Sequence, residues 1–176
     1  GGLSPFFLII GIRKHDKQRA GTVPALAIGT AFTRDFMPEE IGRITMVREV
    51  AAATKQAMGS AMLGSIDDVH FVQVKCPLLT SERIANARDR QKEVITEDTY
   101  VSMGYSRGAS ALGVAVALGE IDGTEITSGG IGHDWSLFSG RASASAGVEL
   151  MNCEIIVFGN SHDWVGDNII AHDVMQ

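Results

Sequence analysis

The sequence predicts one α/β domain of the α+β type, in which strands and helices pack in layers around a shared core. The main observation is the order of its patterns, which runs strand, helix, strand, helix, helix, strand, strand. The second is composition. The chain has 176 residues, with 45% hydrophobic and 20% charged residues, as in ordinary globular proteins. This length suits a single domain.

Apolar runs and turn residues define the elements of the first half of the chain. Three strands are predicted, over residues 6–12, 25–32 and 69–75, the last because its apolar and polar side chains alternate. Pro38, followed by two glutamates, suits the first turn of a helix, because proline and acidic side chains are both favoured there. Apolar residues near helical spacing extend this helix to about residue 63.

Capping residues and glycines define the second half. Pro77 ends the preceding strand, and Thr80 or Ser81 caps a short helix that ends near residue 90. The remaining predictions are a polar loop over 91–98, a weak strand over 100–103, a loop over 104–108, a buried helix over 109–118, a glycine-rich irregular segment over 121–140 and strands over 142–150 and 154–158.

Charge and composition argue against several classes of partner. The net charge is −6 and no basic stripe occurs, so we expect no nucleic-acid partner. No stretch reaches about 18 apolar residues, so we expect no membrane span. Two cysteines, Cys76 and Cys153, are too few for a disulfide scaffold, so we expect the cytoplasm. Gly1 is not an initiator methionine and Gln176 ends an unfinished pattern, so we expect the natural sequence to continue at both ends.

Residues 104–108 (Gly-Tyr-Ser-Arg-Gly) match the G-x-S-x-G pattern of a nucleophile elbow. That turn needs a strand before the serine and a helix after it. A helix follows Ser106, but the preceding strand is weak. His133, His162 and His172 are available as bases. The alternative is that these glycines only bound the start of a helix, and both interpretations stay open on the pattern alone.

Lys75 and Ser145 are the other candidates for acyl chemistry. Lys75 ends a strand; a side chain pointing inward there would be desolvated, which favours the neutral form that acts as a base. The alternative is a lysine that reaches solvent. Ser145 lies in the small-residue run 143–147. Such a run lets a ligand approach the backbone, and a serine with the following amide can form a nucleophile and an oxyanion site. The alternative is a tightly packed strand.

Three further groups have simpler interpretations. Cys76 has no histidine near it in sequence and is expected to be a buried thiol. The pairs at 162–163 and 172–173, each His-Asp, are candidate metal ligands, but their spacing matches no standard motif. His133 and Asp134 are expected to anchor a loop.

Four longer segments together carry a resemblance to a known family. They are residues 31–43 (AFTRDFMPEEIGR), 67–80 (DDVHFVQVKCPLLT), 102–113 (SMGYSRGASALG) and 143–150 (SASAGVEL). In this order they resemble the cyanuric acid hydrolase and barbiturase family of cyclic amide hydrolases. The likeness covers nearly the whole chain.

The resemblance implies that the chain is one unit of a pseudo-threefold β-barrel with helices packed outside. Members of this family contain three similar units, and the ring-shaped substrate lies on the axis between them. By this likeness residues 1–21 are the tail of a first unit and a linker, residues 22–163 are the middle unit with its Lys–Ser pair, and residues 164–176 begin a third unit. The full-length form is then expected to be a homo-oligomer.

The resemblance also implies roles for single residues. Lys75, in Val-Lys-Cys-Pro, corresponds to the base, and Ser145, in Ser-Ala-Gly-x-Glu, to the nucleophile. Arg107, in Tyr-Ser-Arg-Gly, corresponds to a substrate-binding arginine, whose planar donor fork suits the carbonyl edge of a planar ring. The Ala146 amide is placed to stabilise the oxyanion. Ser106 is then not the nucleophile.

The implied reaction is hydrolytic ring opening of a small cyclic ureide. Cyanuric acid would give carboxybiuret, and then biuret and carbon dioxide; barbituric acid is the alternative substrate. The resemblance implies no metal and no organic cofactor. Two other classes stay open, namely a serine esterase that uses Ser106 and a non-catalytic ligand-binding or trimeric module.

Overall fold

A computed structural model describes residues 9–13 and 23–172. Residues 9–13 contain no regular secondary structure, so the strand predicted over residues 6–12 is wrong for its second half. Residues 6–8 lie outside the described residues. The regular elements are β1 (Ala25–Phe32), α1 (Ile44–Ser60), β2 (Val69–Pro77), α2 (Ser81–Asp89), α3 (Thr99–Ala117), β3 (Ala142–Gly147) and β4 (Glu154–Ser161), with short 3-10 turns at Pro38–Glu40 and Ile66–Asp68.

The four strands form one mixed sheet in the order β1-β4-β2-β3. Strand β4 pairs antiparallel with both β1 and β2, whereas β2 and β3 are parallel. The α+β class is therefore confirmed. Within the described residues the sheet is open, with β1 and β3 at its edges, so the closed barrel is not formed by this part of the chain.

The helices α1 and α3 pack against each other and cover one face of the sheet. The side chains that β2 and β4 place on that face are buried, among them Val74 and Cys76 of β2 and Val157 of β4. Because successive strand residues point to opposite faces, the residues between them line the other face. No helix of the described segments is long and apolar enough to cross a membrane.

Capping side chains determine where α2 and α3 begin. The Thr80 hydroxyl accepts a hydrogen bond from the Arg83 amide, as the sequence predicts for α2. The Asp98 carboxylate accepts one from the Val101 amide and starts α3 at Thr99. Helix α3 therefore includes the segments predicted as a strand over 100–103 and a loop over 104–108, and both predictions are wrong.

The long helix predicted between Pro38 and residue 63 is interrupted. A 3-10 turn at Pro38–Glu40 is followed by Gly42 with φ 76°, and α1 begins only at Ile44. A positive φ is not helical and is tolerated by glycine. The two segments are therefore separate elements and do not form one continuous helix.

An ion pair joins the first 3-10 turn to α2. Both terminal nitrogens of Arg90 donate to the Glu39 carboxylate, each at 2.7 Å. The Arg90 hydrogen bonds lower the pKa of Glu39 from 4.5 to about 2. Because this pKa is lowered on folding, the pair stabilises the protein above pH 4.5 and its contribution is lost as the pH falls towards 2.

We therefore expect Glu39→Gln to flatten the acid dependence of stability. The urea midpoint of the wild type should fall more steeply between pH 4.5 and pH 2 than that of Glu39→Gln. Glu97→Gln, which breaks the exposed Arg88–Glu97 pair, is the control. Equal slopes for the wild type and Glu39→Gln would contradict this role.

Candidate active site

The pairing of β2 with β3 brings Lys75 and Ser145 together. The two residues are register partners in the parallel pair, and each lies two residues before the end of its strand. In sheets with parallel strands, ligands bind near the carboxyl ends of the strands. The lysine and the serine are thus placed where such a site is expected.

Both side chains lie on the face of the sheet opposite α1 and α3. The neighbours of Lys75, Val74 and Cys76, are fully buried, whereas the Lys75 side chain is 37% exposed. The neighbours of Ser145, Ala144 and Ala146, pack against the core, and Ser145 itself is exposed. Of the two interpretations left open for Lys75, the structure supports the one in which the side chain reaches solvent.

The backbone of Ser145 and Ala146 is held by β2. Ala146 is the register partner of Cys76, and the Cys76 thiol donates to the Ser145 carbonyl at 3.4 Å. A hydroxyl on a rigid strand, followed by an amide, is an arrangement that can attack a carbonyl and stabilise the resulting oxyanion. The register of β2 and β3 therefore places the backbones of Lys75, Ser145 and Ala146 close together.

Arg107 lies on the exposed surface of α3, and its Nε donates to the Met103 carbonyl at 3.2 Å. Among the described residues, it makes no hydrogen bond to Lys75 or Ser145. Burial raises the pKa of Cys76, and the positive charges of Arg107 and Lys75 both oppose that shift.

Two other residues considered as nucleophiles, Ser106 and Cys76, are buried. Ser106 lies inside α3, is fully buried and donates to the Pro77 carbonyl. It is therefore not exposed on a strand-to-helix turn, so the elbow pattern is coincidental. Cys76 is a buried free thiol whose pKa is raised by burial, as expected for a structural cysteine.

The histidine candidates do not converge on a metal site. His133 Nε2 lies 2.9 Å from the Tyr105 hydroxyl, which fits the predicted loop anchor. His172 Nδ1 lies 2.8 Å from His70 Nδ1. Across residues 9–13 and 23–172, no group of three or more His, Cys, Asp or Glu side chains could hold a metal ion. Asp173 lies outside these residues.

The sequence assigned no role to Glu149, which contacts Lys75, or to Arg83, which bonds to the turn that carries Glu149. Glu149 Oε1 lies 3.2 Å from Lys75 Nζ. Arg83, at the start of α2, donates to the carbonyls of Leu78, Val148 and Leu150. Glu149 belongs to the motif Ser-Ala-Gly-x-Glu, so its position in that motif was the available signal. Nothing in the local sequence indicates that the Arg83 side chain bonds to the backbone of residues 78, 148 and 150.

A lysine and a serine in register on neighbouring strands are residue types suited to acyl transfer, so the fold and the site define a candidate hydrolase domain. A sequence profile for the family described as amidohydrolase ring-opening protein matches residues 1–176. The chain belongs to this family of ring-opening amidohydrolases, and the resemblance seen in the sequence is confirmed.

Relatives with known names agree with this membership. The cyanuric acid amidohydrolase of Enterobacter cloacae is 51% identical over 178 residues, covering 100% of this chain and 48% of that protein. The corresponding protein of Rhizobium johnstonii is 53% identical over 176 residues, covering 100% of this chain and 49% of that protein. The chain thus spans about half the length of these relatives.

Solved structures of the family have the same fold. One cyanuric acid hydrolase, described as an evolutionary innovation by structural concatenation, matches with a TM-score of 0.80 and 53% identity, covering 85% of this chain and 41% of that chain. The cyanuric acid hydrolase of A. caulinodans matches with a TM-score of 0.81 and 51% identity, covering 83% of this chain and 42% of that chain.

Proposed function

We propose that the protein to which this chain belongs opens the ring of a cyclic amide by hydrolysis, with cyanuric acid as its substrate. The observation that carries the proposal is the register pairing of Lys75 with Ser145 at the carboxyl ends of parallel strands. The names of relatives about 50% identical over the whole chain support the choice of substrate.

In the proposed mechanism the Lys75 amine takes the proton from the Ser145 hydroxyl, and Oγ attacks a ring carbonyl carbon. The Ala146 amide donates to the oxyanion. When the tetrahedral intermediate collapses, the ring C–N bond breaks and the Lys75 ammonium returns the proton to the leaving nitrogen. Water then hydrolyses the acyl-serine to release carboxybiuret, which loses carbon dioxide to give biuret. Arg107 is proposed to bind a ring carbonyl through its planar donor fork.

The sheet is proposed to be one unit of a pseudo-threefold barrel. All four strands lie within residues 22–163, the range assigned to the middle unit. The open edges at β1 and β3 are where neighbouring units would pair. The coding sequence on either side of this segment is the check, because further Lys–Ser motifs on both sides would support the assignment of residues 1–21 and 164–176 to flanking units.

A cytoplasmic location and a homo-oligomeric assembly are also proposed for the protein. Cys76 and Cys153 are both free thiols, as is typical of proteins in a reducing cytoplasm. A homo-oligomer is proposed for the full-length form. Native mass spectrometry measures the mass of the assembly, and the mass of a single subunit would contradict this proposal.

The test of the proposed function is turnover by the full-length product of the gene that encodes this sequence. Cyanuric acid, barbituric acid and a nitrophenyl ester are offered separately. We expect loss of cyanuric acid with release of carbon dioxide and biuret. Ring opening of barbituric acid alone would move the assignment to barbiturase, and binding of either ring without turnover would favour a non-catalytic module.

Ser106→Ala distinguishes the proposed hydrolase from a serine esterase. Because the Ser106 hydroxyl donates to the Pro77 carbonyl in the core, its loss should destabilise the fold by about 1–3 kcal/mol. The kcat for cyanuric acid should stay within a few-fold of wild type at a temperature where the variant is folded. Ester hydrolysis that disappears in Ser106→Ala but persists in Ser145→Ala would support the esterase instead.

A further inference from the structure

We propose that Glu149 is a positioning residue, which holds the Lys75 side chain close to the strand that carries Ser145. This inference rests on the proposed function. Glu149 is not expected to touch the substrate's reacting atoms. It acts through Lys75, and its carboxylate is placed by the turn that follows β3.

The contact itself is an ion pair of 3.2 Å between Glu149 Oε1 and Lys75 Nζ. Two hydrogen bonds, the first from Glu149's own backbone amide and the second from Lys75, lower the pKa of Glu149. The carboxylate is therefore ionised at neutral pH. Because Ser145 is the register partner of Lys75, an anchored Nζ stays near the strand that carries the hydroxyl.

The absence of a side chain at Gly147 leaves room for the Glu149 carboxylate that contacts Lys75. The Glu149 carboxylate folds back over Gly147, so that a Cβ at position 147 would overlap both carboxylate oxygens. Gly147 is buried at the end of β3, two residues after Ser145. A side chain there would push the carboxylate away from Lys75 while leaving its charge in place.

Arg83 holds the turn that carries Glu149. Its guanidinium donates to the carbonyls on either side of Glu149, at 3.0 Å to Val148 and 2.6 Å to Leu150, and also to Leu78 after β2. Burial lowers the pKa of Arg83. These hydrogen bonds all go to backbone carbonyls. Arg83 therefore connects the segments that follow β2 and β3 and fixes the position of the backbone at Glu149.

The charged groups around the Lys75–Glu149 pair come from three elements. Glu154 of β4 is the register partner of Lys75 on the side away from Ser145. Arg83 of α2 acts on Glu149. Arg107 of α3 lies close enough to influence Cys76, next to Lys75. Among the described residues, Glu149 is the carboxylate that forms an ion pair with Lys75.

Removing the Glu149 carboxylate should change kcat and KM to different extents. At the pH optimum, kcat should fall about 10-fold to 100-fold with little change in KM, because Nζ is no longer held in place.

The experiment compares kcat and KM of Glu149→Gln, Glu149→Asp and Gly147→Ala in the full-length gene product, with cyanuric acid as substrate. Glu149→Asp keeps the carboxylate and should recover part of kcat. Gly147→Ala should lower kcat although Glu149 is intact. Glu97→Gln is the matched control, because it breaks an exposed ion pair with Arg88 and should leave kcat and KM unchanged.

The outcomes separate this inference from the function on which it rests. A wild type that does not open the ring contradicts the proposed function. A wild type that does so, together with a Glu149→Gln variant of unchanged kcat, contradicts the positioning role alone. A fall in kcat that Glu149→Asp does not recover, matched by a loss of thermal stability, would show a merely structural role and would also overturn the inference.

Discussion

Lys75→Met and Ser145→Ala should each lower kcat for ring opening of cyanuric acid by at least about 100-fold, because each removes one half of the proposed base–nucleophile pair. Both side chains lie on the partly exposed face of the sheet, away from the core. The fold should therefore survive, and far-UV circular dichroism and thermal unfolding should match the wild type. Initial rates of ring loss in the full-length gene product provide the measurement.

The double variant sharpens this prediction. Because a base and its nucleophile act as a unit, Lys75→Met combined with Ser145→Ala should be about as slow as the slower single variant. Ser143→Ala is the matched control, since Ser143 lies on the same strand and face and pairs with Gln73 instead of Lys75. Full activity in Ser145→Ala, or multiplicative losses in the double variant, would contradict the pair.

Two glycine substitutions in α3 should have opposite effects on stability. A Cβ at Gly113 would lie 2.7 Å from the Val47 carbonyl and 2.7 Å from Val50 Cβ. Gly113→Ala should therefore force α1 and α3 apart and lower the free energy of unfolding by about 1–3 kcal/mol. At Gly104 a Cβ meets nothing within 4 Å, so Gly104→Ala should raise it by about 0.4–1 kcal/mol.

Urea unfolding of the two variants measures both changes in the free energy of unfolding, which should have opposite signs within one helix. Gly104 also belongs to the G-x-S-x-G match, where an elbow would require the glycine for a sharp turn. A stabilising Gly104→Ala therefore supports the helical assignment. Strong destabilisation at Gly104, or none at Gly113, would contradict the packing of α3 against α1.

The elements that the sequence predicted correctly have local signals. Strand β1 has the predicted bounds, Ala25–Phe32. Helix α2 follows the N-cap Thr80, and threonine is a residue type that favours this position. Helix α3 was missed in part because its buried face carries Ser102 and Ser106, whose hydroxyls bond to backbone groups. Small polar residues at helical spacing do not produce an apolar stripe, so periodicity alone fails there.

The sequence indicated which residues are candidates for the site, but not which of them lie next to each other in the fold. Motifs identified Lys75 and Ser145, yet their adjacency depends on the parallel pairing of β2 with β3, which lie far apart in the sequence. The ion pair with Glu149 depends on a turn held by Arg83 from a third element. Such contacts arise from tertiary packing and leave no periodic pattern in the chain.

The most direct test of Ser145 as the nucleophile is a rapid-quench experiment on the full-length gene product with radiolabelled cyanuric acid. Samples are quenched in acid during the first turnovers, digested and analysed by mass spectrometry. We expect label on the peptide that contains Ser145 during turnover, and none in Ser145→Ala. Turnover with no label on that peptide at any quench time, or with label on another residue, would contradict the proposed mechanism.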